Sequence, residues 1–520
     1  MPVRYPATRS AIAAVRGVPE PARECWGGTG TRLSTPLRTP TADQRAAAHR
    51  WRALSVCLVA LFATLLDVSV TNVALPAIGR ATDAGPSQLQ WVVSGYVLAF
   101  GLVPVIGGRL GDDRGRRTMF LIGVGGFVVT SALVGVAPGP GVLVAARVLQ
   151  GLFGGLINPQ VSGLVQQLFR GAERGRAFGA IGAVVGTATA VGPVLGGALI
   201  GLGGDQWGWR LVFFVNVPVG LVAMVLAWRW LPVPQRRVGP RRRLDVPGAL
   251  LLGLATFCVL FPTVQYDAVR DARLFWLLAP ALPLGIAFVV RERRLTRLQA
   301  DPLVDLRLFQ RPSYTVGVCL ALLYFCGYTG LPLVLSLFLQ LGHGLDALHA
   351  GLAVTSFAAG SAVAAPVAGR LVSRVGRPLV VVALVVFGAG ALAVGLVARG
   401  DPDGVALRLA LPLLLLGLGS GAIITPNQAL SLQDVDPRMG GAAGGVLQTA
   451  QRIGSAIGQS VIGAVFFASL GGTPPPGSPE YGPALAACVV VTLAFVAAAL
   501  VLGVTDIALT RRRSRADARP

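Results

Sequence analysis

Fourteen long apolar stretches constrain what this chain can fold into. They run approximately over 53–78, 88–108, 118–138, 140–162, 178–202, 211–232, 247–265, 274–291, 313–341, 349–369, 378–398, 405–426, 441–469 and 484–506. About 20 residues of helix cross a ~30 Å hydrocarbon core at 1.5 Å per residue. Inside lipid no water satisfies the backbone, so each stretch must bond to itself and is expected to be a helix. Composition agrees: 53% of the residues are hydrophobic and 13% charged, against about 25% charged in soluble domains. The expected fold class is an all-α polytopic membrane protein, and an even number of spans puts both termini on one side.

The net charge of +22 would point to nucleic acid in a soluble chain. Here its distribution explains it, and no nucleic-acid partner is expected. All 45 basic residues are arginine, so a Walker A lysine and Schiff-base chemistry are excluded. The two tails and the even-numbered loops hold about 37 of them, while the odd-numbered loops hold Arg80, Arg210, Arg270, Arg273, Arg399 and Arg408. That bias predicts a multi-pass protein of the plasma (inner) membrane with both termini cytoplasmic. Arginine runs at 241–243 and 511–513 fit topology anchors against anionic lipid. Residues 1–52 lack apolar periodicity and are expected to be a disordered basic tail, with 509–520 a second basic tail. No signal-peptide core precedes the first long run, so a cleaved leader is not expected. Six scattered cysteines without a CxxC fit small core residues, and His343 and His349 with only Asp346 nearby make a poor metal set. Neither metal nor cofactor is expected.

Between stretches 2 and 3 lies a charged, glycine-studded segment, Gly108-Arg109-Leu110-Gly111-Asp112-Asp113-Arg114-Gly115-Arg116-Arg117. Glycine at both ends predicts a sharp backbone reversal, and its charges must sit at a membrane surface. A degenerate copy, Gly369-Arg370-Leu371-Val372-Ser373-Arg374-Val375-Gly376-Arg377, follows stretch 10. The echo predicts two related six-helix halves, 53–232 and 313–508, separated by an inserted pair of helices within 233–312. Stretch 5 (Gly182, Gly186, Gly192, Gly196) and stretch 13 (Gly441, Gly445, Gly454, Gly458) share four-residue glycine spacings that permit close helix approach. Repeats of this kind mark secondary transporters, with the site between halves near the midplane.

Three ionisable residues lie well inside the stretches: Asp67, Arg147 and Arg452. A charge at the bilayer centre costs about 2.5–3.5 kcal/mol on the mildest scale, so each needs a reason. Asp67 and Arg147 come at similar depth. They make either a structural ion pair or a proton site whose carboxyl affinity changes as burial and the neighbouring guanidinium change. Arg452 is divided between structure and substrate contact. Trp91, Tyr96, Phe100, Tyr324, Phe325 and Tyr328, with Gln150, Gln340, Asn427, Gln448 and Gln451, are candidates to line a cavity for a small-molecule substrate. No Ser, His and acid cluster and no paired intramembrane carboxylates occur, which speaks against an enzyme.

The segment at 108–117 resembles the signature G-x-L-x-D-x-x-G-R-R of the major facilitator superfamily, at Gly108, Leu110, Asp112, Gly115, Arg116 and Arg117. The run 143–151, centred on Arg147, is similar to the helix 4 motif whose arginine the family links to proton transfer. Residues 186–197, with Gly186, Gly192, Pro193, Gly196 and Gly197, resemble the helix 5 antiporter motif. Residues 66–76, from Leu66 and Asp67 to Pro76, resemble the helix 1 motif of drug:proton antiporters. Gln90-Trp91 with Tyr96, and Trp209-Arg210 followed by Asn216-Val217-Pro218, fit the fourteen-helix branch. Two departures stand out: Ser373 replaces the acidic residue in the second copy, and Asp113 occupies a position that is often basic.

The resemblance implies a drug:proton antiporter working by alternating access, with protons and a small amphipathic substrate as partners and a monomer sufficing. Asp67 would carry the proton and Arg147 tune it. The glycine-proline face of stretch 5 would pack against the other half, and Asp112 would close the cytoplasmic side against a helix end in the second half. The alternatives are a solute importer or symporter, which the helix 5 motif argues against, and, behind it, a non-transport membrane protein.

Overall fold

Helix is the only regular structure among the described residues, which are 42–233, 244–269, 272–298, 300–345, 347–400, 404–472, 474–475 and 477–517 of a computed structural model. Thirteen helices are long and apolar enough to span a membrane, and one bent pair makes a fourteenth. In order they are α1 (Ala42–Thr82), the pair α2 (Pro86–Leu102) and α3 (Pro104–Arg114), α4 (Arg116–Gly135), α5 (Pro140–Leu168), α6 (Gly171–Phe214) and α7 (Asn216–Trp230). Then come α8 (Val246–Val269) and α9 (Leu278–Arg297), the inserted pair. The second half holds α10 (Pro312–Tyr328), α11 (Leu331–Leu337), α12 (Ala347–Val375), α13 (Arg377–Ala398), α14 (Val405–Ser431), α15 (Gly440–Leu470) and α16 (Tyr481–Asp517). All fourteen apolar stretches become spans.

Local chemistry explains the breaks. Pro104 has no N–H to give Phe100, and the chain bends by 47° between α2 and α3. The long α6 reverses at Gly204, where φ is 64° and ψ −171°, so it contains one span and the start of the next. The expected tail is corrected at its end. Helix begins at Ala42, about ten residues before the apolar stretch, through the strong helix former alanine at 46–48, and Arg50 pairs with Glu173 at 3.2 Å. The rest of that tail and the arginine run 241–243 lie outside the described residues.

The signature segment is also corrected. It stays helical through Arg114 and reverses at the single residue Gly115, whose φ is 102°. Gly108 is needed for space: a Cβ there would strike the Gly441 carbonyl of α15. The copy behaves alike, because Gly376 has φ of 69° and a Cβ on Gly369 would strike the Gly175 carbonyl of α6. Each half thus lays the end of its signature helix on the start of a glycine-rich helix from the other half.

One apolar cluster runs across this seam, joining Phe120, Val161 and Phe178 to Tyr314, Val372, Leu432 and Ala443. The inserted pair covers part of it, with Ala249, Phe288, Leu303 and Val304 packed around Val105 and partly buried Val446. Asp245, just before α8, ties the start of that helix to Arg291 of α9 at 2.7 Å. Burial pushes this carboxyl up, but the bonds from Arg291 and the Gly248 amide outweigh it and hold the group below the usual carboxylate range. Its anchoring is therefore complete at neutral pH and lost only as pH falls through that lowered value. Within the second half, Gly454 and Gly458 seat α15 on the carbonyls of Leu322 and Cys326 in α10. Gly458→Val should therefore cost about 1–3 kcal/mol of stability. An unchanged thermal midpoint of the purified variant in detergent would contradict this packing.

Candidate functional site

Five helices converge on one buried carboxylate. Asp67 in α1 is 1% exposed. Its Oδ2 accepts from Arg147 of α5 at 2.5 Å, while Oδ1 accepts from Gln150 of α5 at 3.1 Å and Asn216 of α7 at 2.7 Å. Arg147 also donates through Nε to the Val92 carbonyl of α2 at 2.9 Å and through Nη1 to Gln150 Oε1 at 2.6 Å. Gln150 reaches Ser131 of α4 at 2.8 Å. The guanidinium lies over the Tyr96 ring, 4.3 Å from its centroid, and the Tyr96 hydroxyl donates to the Thr64 carbonyl.

The sequence spacing produces this convergence. Arg147 and Gln150 are three apart, so they share one face of α5. Asn216 opens α7 at the break from α6, which turns its amide into the bundle. A carboxylate in low dielectric needs its charge balanced and its lone pairs filled. The network does both with one cation and two neutral amides. Protonating Asp67 would remove the charge that holds Arg147, so this arrangement is chemically able to couple proton occupancy to helix packing.

Several sequence expectations change here. Gln150 was expected in a substrate cavity, but it is fully buried as a ligand of Asp67. Tyr96 is buried against Arg147 and does not line open space. Tyr324 is buried in the second half, its hydroxyl donating to Ser420 at 2.8 Å and its ring stacked on Tyr328 at 5.5 Å. Tyr328 is partly buried and stacks in turn on Phe357. Trp91 stays half-exposed, 6.0 Å from Phe261 of the inserted α8. Asn216 and Ser131 carry no chemical role in the sequence reading; the one available signal is an asparagine two residues before a proline near a span's start.

The glycine-proline motif of α6 does not present one face to the other half. A Cβ on Gly186 would meet Ala362 of α12, whereas Gly192 and Gly196 pack on Ser69 and Val70 of α1. Pro193 and Gly197 are exposed. At about 100° per residue, positions 186 and 192 point about 120° apart around the helix, while 192 and 196 point within about 40° of each other.

At the Gly115 end, Asp112 of α3 caps α15. Its oxygens accept from the Gly441 amide at 3.1 Å and the Ala442 amide at 2.8 Å, where the helix dipole favours negative charge. Arg116 holds the same carboxylate at 2.7 Å and also donates to the carbonyls of Gly163 and Pro437, the latter in the second half. Arg117 donates to the Trp228 carbonyl, and Arg109 pairs with Asp113 at 3.0 Å. In the copy, exposed Ser373 supplies no such cap, and Arg377 pairs with Asp506 of α16 at 3.0 Å and Asn427 at 2.8 Å. The seam is fixed by one intact charged cap.

Arg147→Leu should strip Asp67 of its counter-ion and cost about 3–5 kcal/mol of stability. Arg147→Leu combined with Asp67→Asn should recover much of that loss. Thermal unfolding of the two variants in detergent checks this, and a double variant no more stable than Arg147→Leu would contradict a mutual charge balance.

Comparison with known proteins agrees with the fold. The Major Facilitator Superfamily profile matches residues 57–459, with a second match over 317–519. The chain is 38% identical over 428 residues to the probable actinorhodin transporter of Streptomyces coelicolor, covering 82% of this chain and 74% of that protein. It is 32% identical over 437 residues to the tetracenomycin C resistance and export protein of Streptomyces glaucescens, covering 83% and 78%. Among solved structures, the human organic anion transporter MFSD10 superposes with a TM-score of 0.62 at 16% identity, covering 87% of this chain and 99% of that one. Fourteen spans, a duplicated signature helix and the extent of these matches lead to one assignment: the chain belongs to the major facilitator superfamily.

Proposed function

We propose that this protein exports drug-like or other small amphipathic compounds across the plasma membrane in exchange for protons. The observation that carries the coupling is Asp67, a buried carboxylate whose counter-ion Arg147 sits on a different helix. Relatives named for antibiotic transport, resistance and export support the substrate class and the direction. The arginine bias supports placing both termini and the Gly115 end in the cytoplasm.

In this reading the described state is sealed toward the cytoplasm by the Asp112 cap and the glycine contacts of the seam. A proton arriving from outside adds to Asp67, converting the carboxylate to a neutral acid. Arg147 then loses its charge partner but keeps the Val92 carbonyl and the Tyr96 face, and α1 is freed relative to α5. That loosening favours release of the substrate outward and rocking of the halves. The Asp112 cap parts, the proton leaves to the cytoplasm, and new substrate loads from that side. Asp112 acts on the gate and does not touch substrate.

Asp67→Asn mimics the protonated acid and should abolish proton-driven export in everted membrane vesicles while the protein still reaches the membrane. Undiminished export by that variant would overturn the coupling role. Asp112→Asn should slow turnover at least about tenfold, because a charge-assisted cap bond contributes about 1.5–3 kcal/mol, while leaving substrate binding measurable. Loss of binding with normal cycling would contradict a gate.

A further inference from the structure

Arg452 is the intramembrane charge that the Asp67 network leaves unexplained. It lies 12 residues into α15, about 18 Å from the helix start and near the middle of the span. Neither an ion pair nor a hydrogen bond reaches its guanidinium among the described residues. It is partly buried, and a cation at this depth cannot face hydrocarbon, so it is held inward against α2 and the inserted α8. Its contacts are apolar: the guanidinium carbon lies 4.6 Å from the Phe100 ring centroid, and its stem rests near Gly101, where Leu260 of the inserted α8 also arrives. Half-buried rings continue from there. Phe257 stacks on Phe261 at 5.0 Å, and Phe261 faces Trp91 at 6.0 Å.

An aromatic face does not repay the cost of desolvating a guanidinium. A fixed counter-ion would, and the carboxylate nearest in the layered order, Asp67, is already filled by three donors on the far side of Tyr96. The order is Arg147, Tyr96, Phe100, Arg452, with the two rings stacked at 5.9 Å. We propose that the missing counter-ion is the cargo: Arg452 recognises the anionic group, a carboxylate or ionised phenol, of a flat aromatic substrate. Rings from α2 and the inserted helix hold its apolar body. This rests on the export reading and names the charge class that the export site selects.

The test uses two flat dyes of opposite charge, fluorescein and ethidium, on the purified full-length protein in detergent. Wild type should bind fluorescein. Arg452→Gln should weaken that binding about tenfold or more, Arg452→Lys should restore part of it, and ethidium binding should not weaken in either variant. No fluorescein binding by the wild type, fluorescein binding unchanged in Arg452→Gln, or equal loss for both dyes would overturn the inference. Flux of fluorescein in everted vesicles separates the two readings. Arg452-dependent binding with proton-driven flux that survives Asp67→Asn would sink the coupling scheme and leave anion recognition standing.

Discussion

A carboxylate inside a membrane protein must be neutralised, and nearly everything in the first half follows from how Asp67 is neutralised. Arg147, Gln150 and Asn216 come from two further helices, and their own secondary contacts to Val92 and Ser131 draw in two more. Hydrocarbon offers helices no hydrophobic reason to associate, so such polar links carry unusual structural weight. In the proposed cycle one proton cancels the charge that five helices share, so the contact that holds the helices is also the one that carries the coupling.

The second organising contact is made of glycine and carbonyl oxygen. Gly108 on Gly441 and Gly369 on Gly175 bring the halves together at one end. The duplication is geometrically faithful but chemically unequal, since Asp112 caps α15 while Ser373 caps nothing. In the proposed cycle this seam is the gate, and one charged cap over two glycine crossings opens at lower cost than two caps would. The inserted α8 lies against α2 and α15 and brings Phe257, Leu260 and Phe261 beside them.

Much of this was legible in the sequence because lipid permits few alternatives. Apolar length marked the fourteen stretches that become helices of spanning length, the second as a bent pair, and the repeated signature pointed to the matching glycine crossings at 108 and 369. Similar depth in their stretches placed Asp67 near Arg147, and the family resemblance placed Asp112 at a helix end of the second half, which the structure shows to be the start of α15. Facing was less legible. Gln150 and Tyr96 looked like cavity residues because spacing says which residues share a face, not which neighbour occupies it. Asn216 was missed for the same reason, since its partner lies 149 positions away. Gly108 looked like a turn residue because glycine serves both for positive φ and for close approach, and only the partner carbonyl decides between them.

The scheme depends on Asp67 gaining and losing a proton under working conditions. Infrared difference spectroscopy of the purified protein in lipid, stepped from alkaline to acidic pH, observes this through the carbonyl stretch of a protonated buried carboxyl. The account predicts a pH-dependent band in the wild type that vanishes in Asp67→Asn and titrates over the same range as export. A band that persists unchanged in Asp67→Asn, or active protein without any such band, would contradict it.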